Sequence, residues 1–150
     1  MTRRTMKPID LKELPMEAAL HNIMDGSPGD LRDRCSALLA MYRAGKKEVP
    51  IFLYGLMAYN YKNIERKEII VEALENIQTK EWANVLFNEL RNIESNNSTR
   101  RYIDVILKSI SKFPLDMVRE DMETLLKDKK WTYKMKKRFE DILVRKILAV

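Results

Sequence analysis

Moved by 36 residues, this chain falls on itself. Ile70 lands on Ile106, Val71 on Leu107, Leu74 on Ile110 and Ile77 on Phe113. The same step carries Trp82 onto Val118, Leu86 onto Met122 and Leu90 onto Leu126. One step earlier, Cys35 meets Val71, Leu38 meets Leu74 and Met41 meets Ile77. The second half of that earlier stretch matches at 33 residues, pairing Val49 with Trp82, Leu53 with Leu86 and Met57 with Leu90. The difference of three falls in "RAGKKE", a polar turn where a change of length costs little. Within each half the apolar residues recur at steps of three and four, the spacing of one helix face. A two-helix unit cannot bury its apolar faces alone, so such units stack on their neighbours.

The punctuation agrees. Four glycines and five prolines in 150 residues leave little room for long loops. The residues between them are mostly good helix formers. Pro15 suits the first turn of "PMEAALHNIM", and "DGSPGD" breaks the chain after it. Asp30 is placed to cap "LRDRCSALLAMYRA", and Pro50 opens "PIFLYGLMAYN". Thr79 with Glu81, and Ser98 or Thr99, stand where N-caps belong, while Pro114 ends one helix and opens the next. The expectation is one all-α domain of about eight helices over residues 1–150. It comprises an N-terminal helix at 9–25, hairpins near 30–61, 65–95 and 100–128, and a capping helix at 130–149.

Two-helix units of this length, lacking the Trp-Leu-Gly-Tyr pattern of tetratricopeptides, resemble HEAT repeats over residues 30–150. The Pro, Asp and Arg of that family's pattern are only partly present, and Pro50 and Pro114 fall at different points of their units. The resemblance implies antiparallel hairpins stacked as a short right-handed α-solenoid. Similar repeats serve as protein-binding scaffolds, as the fold of certain bilin lyases, and as DNA glycosylases that grip a duplex in a basic groove.

Chemistry finds little to work with. The single histidine, His21, lies among Leu20, Ile23 and Met24 with no nucleophile at useful spacing. The single cysteine, Cys35, shares its repeat position with Val71 and Leu107, which makes it a small core hydrophobe. Glu68, Glu72 and Glu75, and likewise Asp116, Glu120 and Glu123, recur at helical spacing but alternate with Lys and Arg, as on a solvated face. Metal-ligand spacing and a Gly-rich phosphate loop are both missing, so neither catalysis nor a cofactor is expected. One cysteine, no apolar run after "MTRRTMKPID" and a longest apolar stretch of 49–59 point to a cytoplasmic protein without a transmembrane segment.

Binding is the remaining class, and two surfaces are candidates. Opposite the stripe Trp82, Val85, Leu86, Glu89/Leu90 and Ile93 stands a polar ridge of Asn84, Asn88 and Arg91. Its equivalents are Glu120 and Thr124 in the third unit, and Ile51 and Ala58, flanked by Tyr54, in the first. The helix at 49–59 is apolar nearly all round, so something should cover it. The N-terminal helix, with Leu11, Leu14, Met16, Leu20 and Ile23, is one cover; a partner protein or a second copy of the chain is the other. The second surface is the C-terminal stretch from Lys127 to Val150, with nine Lys/Arg against three Asp/Glu. The other 126 residues are neutral, so the whole net charge of +6 resides there. Trp131, Met135, Phe139, Ile142 and Leu143 form an apolar stripe, with Lys130, Lys134, Lys137, Arg138 and Arg145 opposite. A solubilising cap explains the polar face, and a nucleic-acid or other anionic ligand explains its sign. Protein binding is thus the expected function, with nucleic-acid binding through the basic C-terminal helix as the alternative.

Overall fold

The structure, a computed structural model, describes residues 28–60 and 62–149. Those residues form seven α-helices and no strand. In chain order they are α1 (Pro28–Arg43), α2 (Val49–Tyr59), α3 (Ile64–Ala73), α4 (Lys80–Asn92), α5 (Arg100–Ile110), α6 (Leu115–Lys127) and α7 (Tyr133–Leu148). The helix expected at 9–25, with His21, lies outside the described residues.

The helix starts follow local chemistry. The Thr79 side chain accepts the Trp82 amide at 3.1 Å, and Pro50 sits in the first turn of α2. Pro114 immediately precedes α6. Two starts differ from expectation. The helix α1 begins at Pro28, two residues before Asp30, because proline's preset φ suits a first turn. Thr99 holds the N-cap position of α5, but its Oγ1 donates to the Glu94 carbonyl at 2.6 Å and accepts the Asn96 amide at 3.1 Å rather than an amide of α5. Asn63 is a cap that the sequence reading missed; its Oδ1 accepts the Arg66 amide at 3.1 Å.

Alternate helices lie side by side. The helix α3 packs between α1 and α5, and α4 packs between α2 and α6. The last helix, α7, packs on α6. It also runs parallel to α5, because Arg138 reaches Asp104 at 2.6 Å and Lys146 reaches the Ser111 carbonyl at 2.8 Å. The residues paired by the 36- and 33-residue steps form the core: Cys35, Val49, Leu53, Ile70, Val71, Leu74, Trp82, Leu86, Leu90, Ile106, Ile110, Val118 and Met122 are all fully buried. Position 126 departs from this pattern. Leu126 is half-buried and Leu125 is buried instead, since α6 is packed by α4 on one flank and α7 on the other. Ala83 and Phe87 add a second buried stripe to α4, which meets α2, α5 and α6.

Burial pushes the Cys35 thiol up from 9.0 to about 11, against a smaller lowering by Arg66. A neutral, enclosed thiol does not attack reagents. Native protein at about pH 8 is therefore expected to resist Ellman's reagent, whereas the chain in denaturant releases its single equivalent of thionitrobenzoate.

Candidate binding surfaces

Between α2 and α4 the surface dips into a groove of about 620 Å³. Tyr54 stacks on Trp82 beneath it, with ring centroids 5.3 Å apart and planes 5° from parallel. The Tyr54 hydroxyl is locked to Thr79 Oγ1 at 2.7 Å, and burial is the main reason that its pKa is raised. Ala58, Asn84, Asn88 and Arg91 line the groove together with Tyr54, so five residues of the expected ridge come together there. Ile51 stands on the same helix as Tyr54 and Ala58 and is 70% exposed, an uncommon state for isoleucine. Glu120 and Thr124 lie on α6, away from the groove; Thr124 Oγ1 donates to the Glu120 carbonyl at 3.0 Å. Arg91 spans to α6 through a 2.6 Å ion pair with Asp121, which Lys80 also approaches at 3.4 Å.

Behind the groove lies an ion pair that the sequence reading missed. Lys67 of α3 meets Glu89 of α4 at 2.7 Å, and both side chains are largely enclosed. Tyr102 of α5, fully buried, donates its hydroxyl to Glu89 Oε1 at 2.6 Å, and Lys67 Nζ stands 5.4 Å over the Tyr102 ring. Burial first, and the Glu89 carboxylate second, push the Tyr102 pKa far upward. A signal was present in the repeat. The 36-residue step places Lys67 between Leu31 and Ile103, and Glu89 aligns with Leu56 and Leu125, all of them buried.

The five cations predicted at the C-terminal end divide into two groups. Lys130 Nζ donates to the carbonyls of Leu90 at 2.7 Å and Arg91 at 3.0 Å and sits 4.7 Å over the Trp131 ring. It caps the carboxyl end of α4, where a positive charge complements the helix dipole. Desolvation lowers its pKa, partly offset by Asp128. Arg138 is paired with Asp104. Lys134, Lys137 and Arg145 are exposed, with no ion-pair partner among the described residues. A sixth cation, Lys146, is buried and donates to the carbonyls of Ser111 and Phe113 at the carboxyl end of α5. Burial lowers its pKa. Lys146 lies seven residues after Phe139 and three after Leu143, in line with the apolar stripe, and that spacing was legible. Part of the one-sided charge is thus explained: two lysines of this end, Lys146 buried and Lys130 still exposed, donate to carbonyls at helix carboxyl ends.

The carboxylates considered for catalysis behave as surface groups. Glu68 pairs with Arg101 at 2.6 Å, Glu75 with Lys112 at 3.2 Å and Glu123 with Arg119 at 3.2 Å. Among the described residues, no group of three or more His, Cys, Asp or Glu is placed to hold a metal ion, and no helix is long and apolar enough to cross a membrane. Compared with protein-family models, curated proteins and solved structures, the chain matches none.

Proposed function

We propose that this chain is a non-catalytic scaffold or adaptor that binds another protein, built as a short right-handed α-solenoid of HEAT-like hairpins. The solenoid reading is supported by the side-by-side packing of alternate helices and by burial that recurs at the repeat step. The binding reading rests on the groove between α2 and α4. The groove joins apolar surface at Ala58 to the amides of Asn84 and Asn88 and the charge of Arg91, and Ile51 is exposed two turns earlier on the same helix. Apolar centres with polar, hydrogen-bonding rims are the usual make-up of a protein interface. One buried cysteine fits a reducing compartment such as the cytoplasm.

The test is capture from native lysate by the immobilised chain, with an Ile51→Asp, Ala58→Asp variant alongside. The wild type is expected to retain a partner after nuclease treatment, and the variant to lose it while melting normally, because both positions are exposed. Equal capture by the two chains would sink the groove assignment. Sedimentation of the free chain shows whether the partner is a second copy.

The second reading, nucleic-acid binding through the basic face of α7, is favoured by one specific observation. Lys134, Lys137 and Arg145 are exposed with no ion-pair partner among the described residues, and Tyr133 next to Lys134 is 81% exposed.

A further inference from the structure

The turn between α4 and α5 and the start of α7 enclose a cleft of about 520 Å³. Three cations line it: Arg100 from the first turn of α5, and Lys134 and Arg138 from α7, the last already paired with Asp104 at 2.6 Å. Asn96, Asn97 and Thr132 supply neutral polar groups, and no Asp or Glu is among the lining residues. Arg100 and Lys134 are exposed and have no ion-pair partner among the described residues. Asn96 turns its Oδ1 inward, accepting from the Ser98 amide at 2.9 Å, the Ser98 hydroxyl at 2.6 Å and the Thr99 amide at 3.2 Å. Its side-chain N–H groups are the part left for a ligand. Tyr133 lies between Thr132 and Lys134 in sequence; its ring does not line the cleft itself and is 81% exposed, one residue from Lys134. Trp131, by contrast, is buried edge-on against Phe139 at 5.1 Å and presents no face.

We propose that this cleft binds single-stranded nucleic acid, holding a backbone phosphate between Arg100 and Lys134 while a neighbouring base stacks on Tyr133. Cations without a competing carboxylate select a phosphate, and Arg offers it a two-pronged donor. An exposed ring beside them adds what a phosphate alone does not use, a surface for a base face. Only an unpaired base presents that face, because in a duplex it is stacked on its neighbours. Two parallel helices, α5 and α7, also start at this end, and their first turns hold no acidic residue. Their dipoles therefore add to the positive field that the side chains create. The inference rests on the second reading above and moves the site from the outer face of α7, with Lys137 and Arg145, to the cleft.

The experiment is fluorescence anisotropy of a labelled oligouridylate of about twelve nucleotides, and of a duplex of equal length, titrated at several salt concentrations. The single strand is expected to bind more tightly than the duplex. Tyr133→Ala should weaken it about 5- to 100-fold, the loss of one stacked base, and Tyr133→Phe should restore it. Arg100→Gln should flatten the slope of log affinity against log salt by about 0.7, the share of one single-strand phosphate contact. Lys137→Gln with Arg145→Gln should leave affinity nearly unchanged. All four positions are exposed, so melting temperatures should match the wild type. If the loss follows Lys137 and Arg145 but not Arg100 and Tyr133, the cleft is overturned and the outer-face reading survives. If no oligonucleotide binds at about 150 mM salt, where screening acts over about 8 Å, both are overturned. A phosphopeptide that binds when the oligonucleotide does not would also overturn the proposal.

Discussion

Glu89→Ala is expected to destabilise the protein by about 3–5 kcal/mol. The carboxylate is the common partner of Lys67 at 2.7 Å and of the Tyr102 hydroxyl at 2.6 Å, so its removal strands a buried ammonium and a buried phenol together. An enclosed charge without a partner is far more costly than the pair was beneficial. Tyr102→Phe, which removes one hydrogen bond to a charged group, should cost less, about 1.5–3 kcal/mol. The informative variant changes all three residues. Lys67→Ile, Glu89→Leu and Tyr102→Phe install the apolar types found at the equivalent positions Ile103 and Leu125 and leave no orphan. That triple change should recover most of the stability lost in Glu89→Ala. Urea unfolding at unchanged m-value measures the series. A triple variant as unstable as Glu89→Ala would show that the ion pair itself, rather than the cost of breaking it, holds α3, α4 and α5 together.

Leu86→Ala is expected to cost about 2–5 kcal/mol. Leu86 is fully buried on α4, the helix that packs between α2 and α6, and its deleted atoms leave a cavity that helices fixed on two sides cannot close. Asn84, two residues earlier, points into solvent on the same helix, so Asn84→Ala should change stability by no more than about 0.5 kcal/mol. The contrast checks the helical phase of α4 as well as the burial. Leu53→Ala and Met122→Ala, at the matching repeat positions, should resemble Leu86→Ala because both are equally buried. A cost below about 1 kcal/mol at Leu86 would contradict the packing described here.

The helices and most of the core were legible because they depend on information carried within a few residues. Apolar spacing of three and four sets which side of a helix turns inward, and Thr79, Pro50 and Pro114 start their helices through bonds and torsions to near neighbours. The 36-residue step extended that reading to Cys35, Trp82, Leu86 and the apolar residues aligned with them, all of which are buried. The ridge at Tyr54, Ala58, Asn84, Asn88 and Arg91 was readable for the same reason: it is the face left over once the inward stripe is known.

What a charge does in this protein was decided only by tertiary structure. By sequence, Lys130, Lys134, Lys137, Arg138 and Arg145 form one basic face. In the fold, Lys130 reaches back 40 residues to the carbonyl of Leu90, and Arg138 reaches 34 to Asp104. Lys146 likewise reaches 35 residues back to Ser111, while Lys134, Lys137 and Arg145 stay in water. Ala83, Phe87 and Lys67 show the same limit inside the core, where packing of more than one neighbour helix buries positions outside the expected stripe. Helical periodicity determines one face of each helix; which helix end or side chain stands against the others is set by packing between segments far apart in the chain. A long cationic side chain takes whichever carbonyl or carboxylate that packing brings within its reach, because desolvating it without a partner costs more than any local preference supplies.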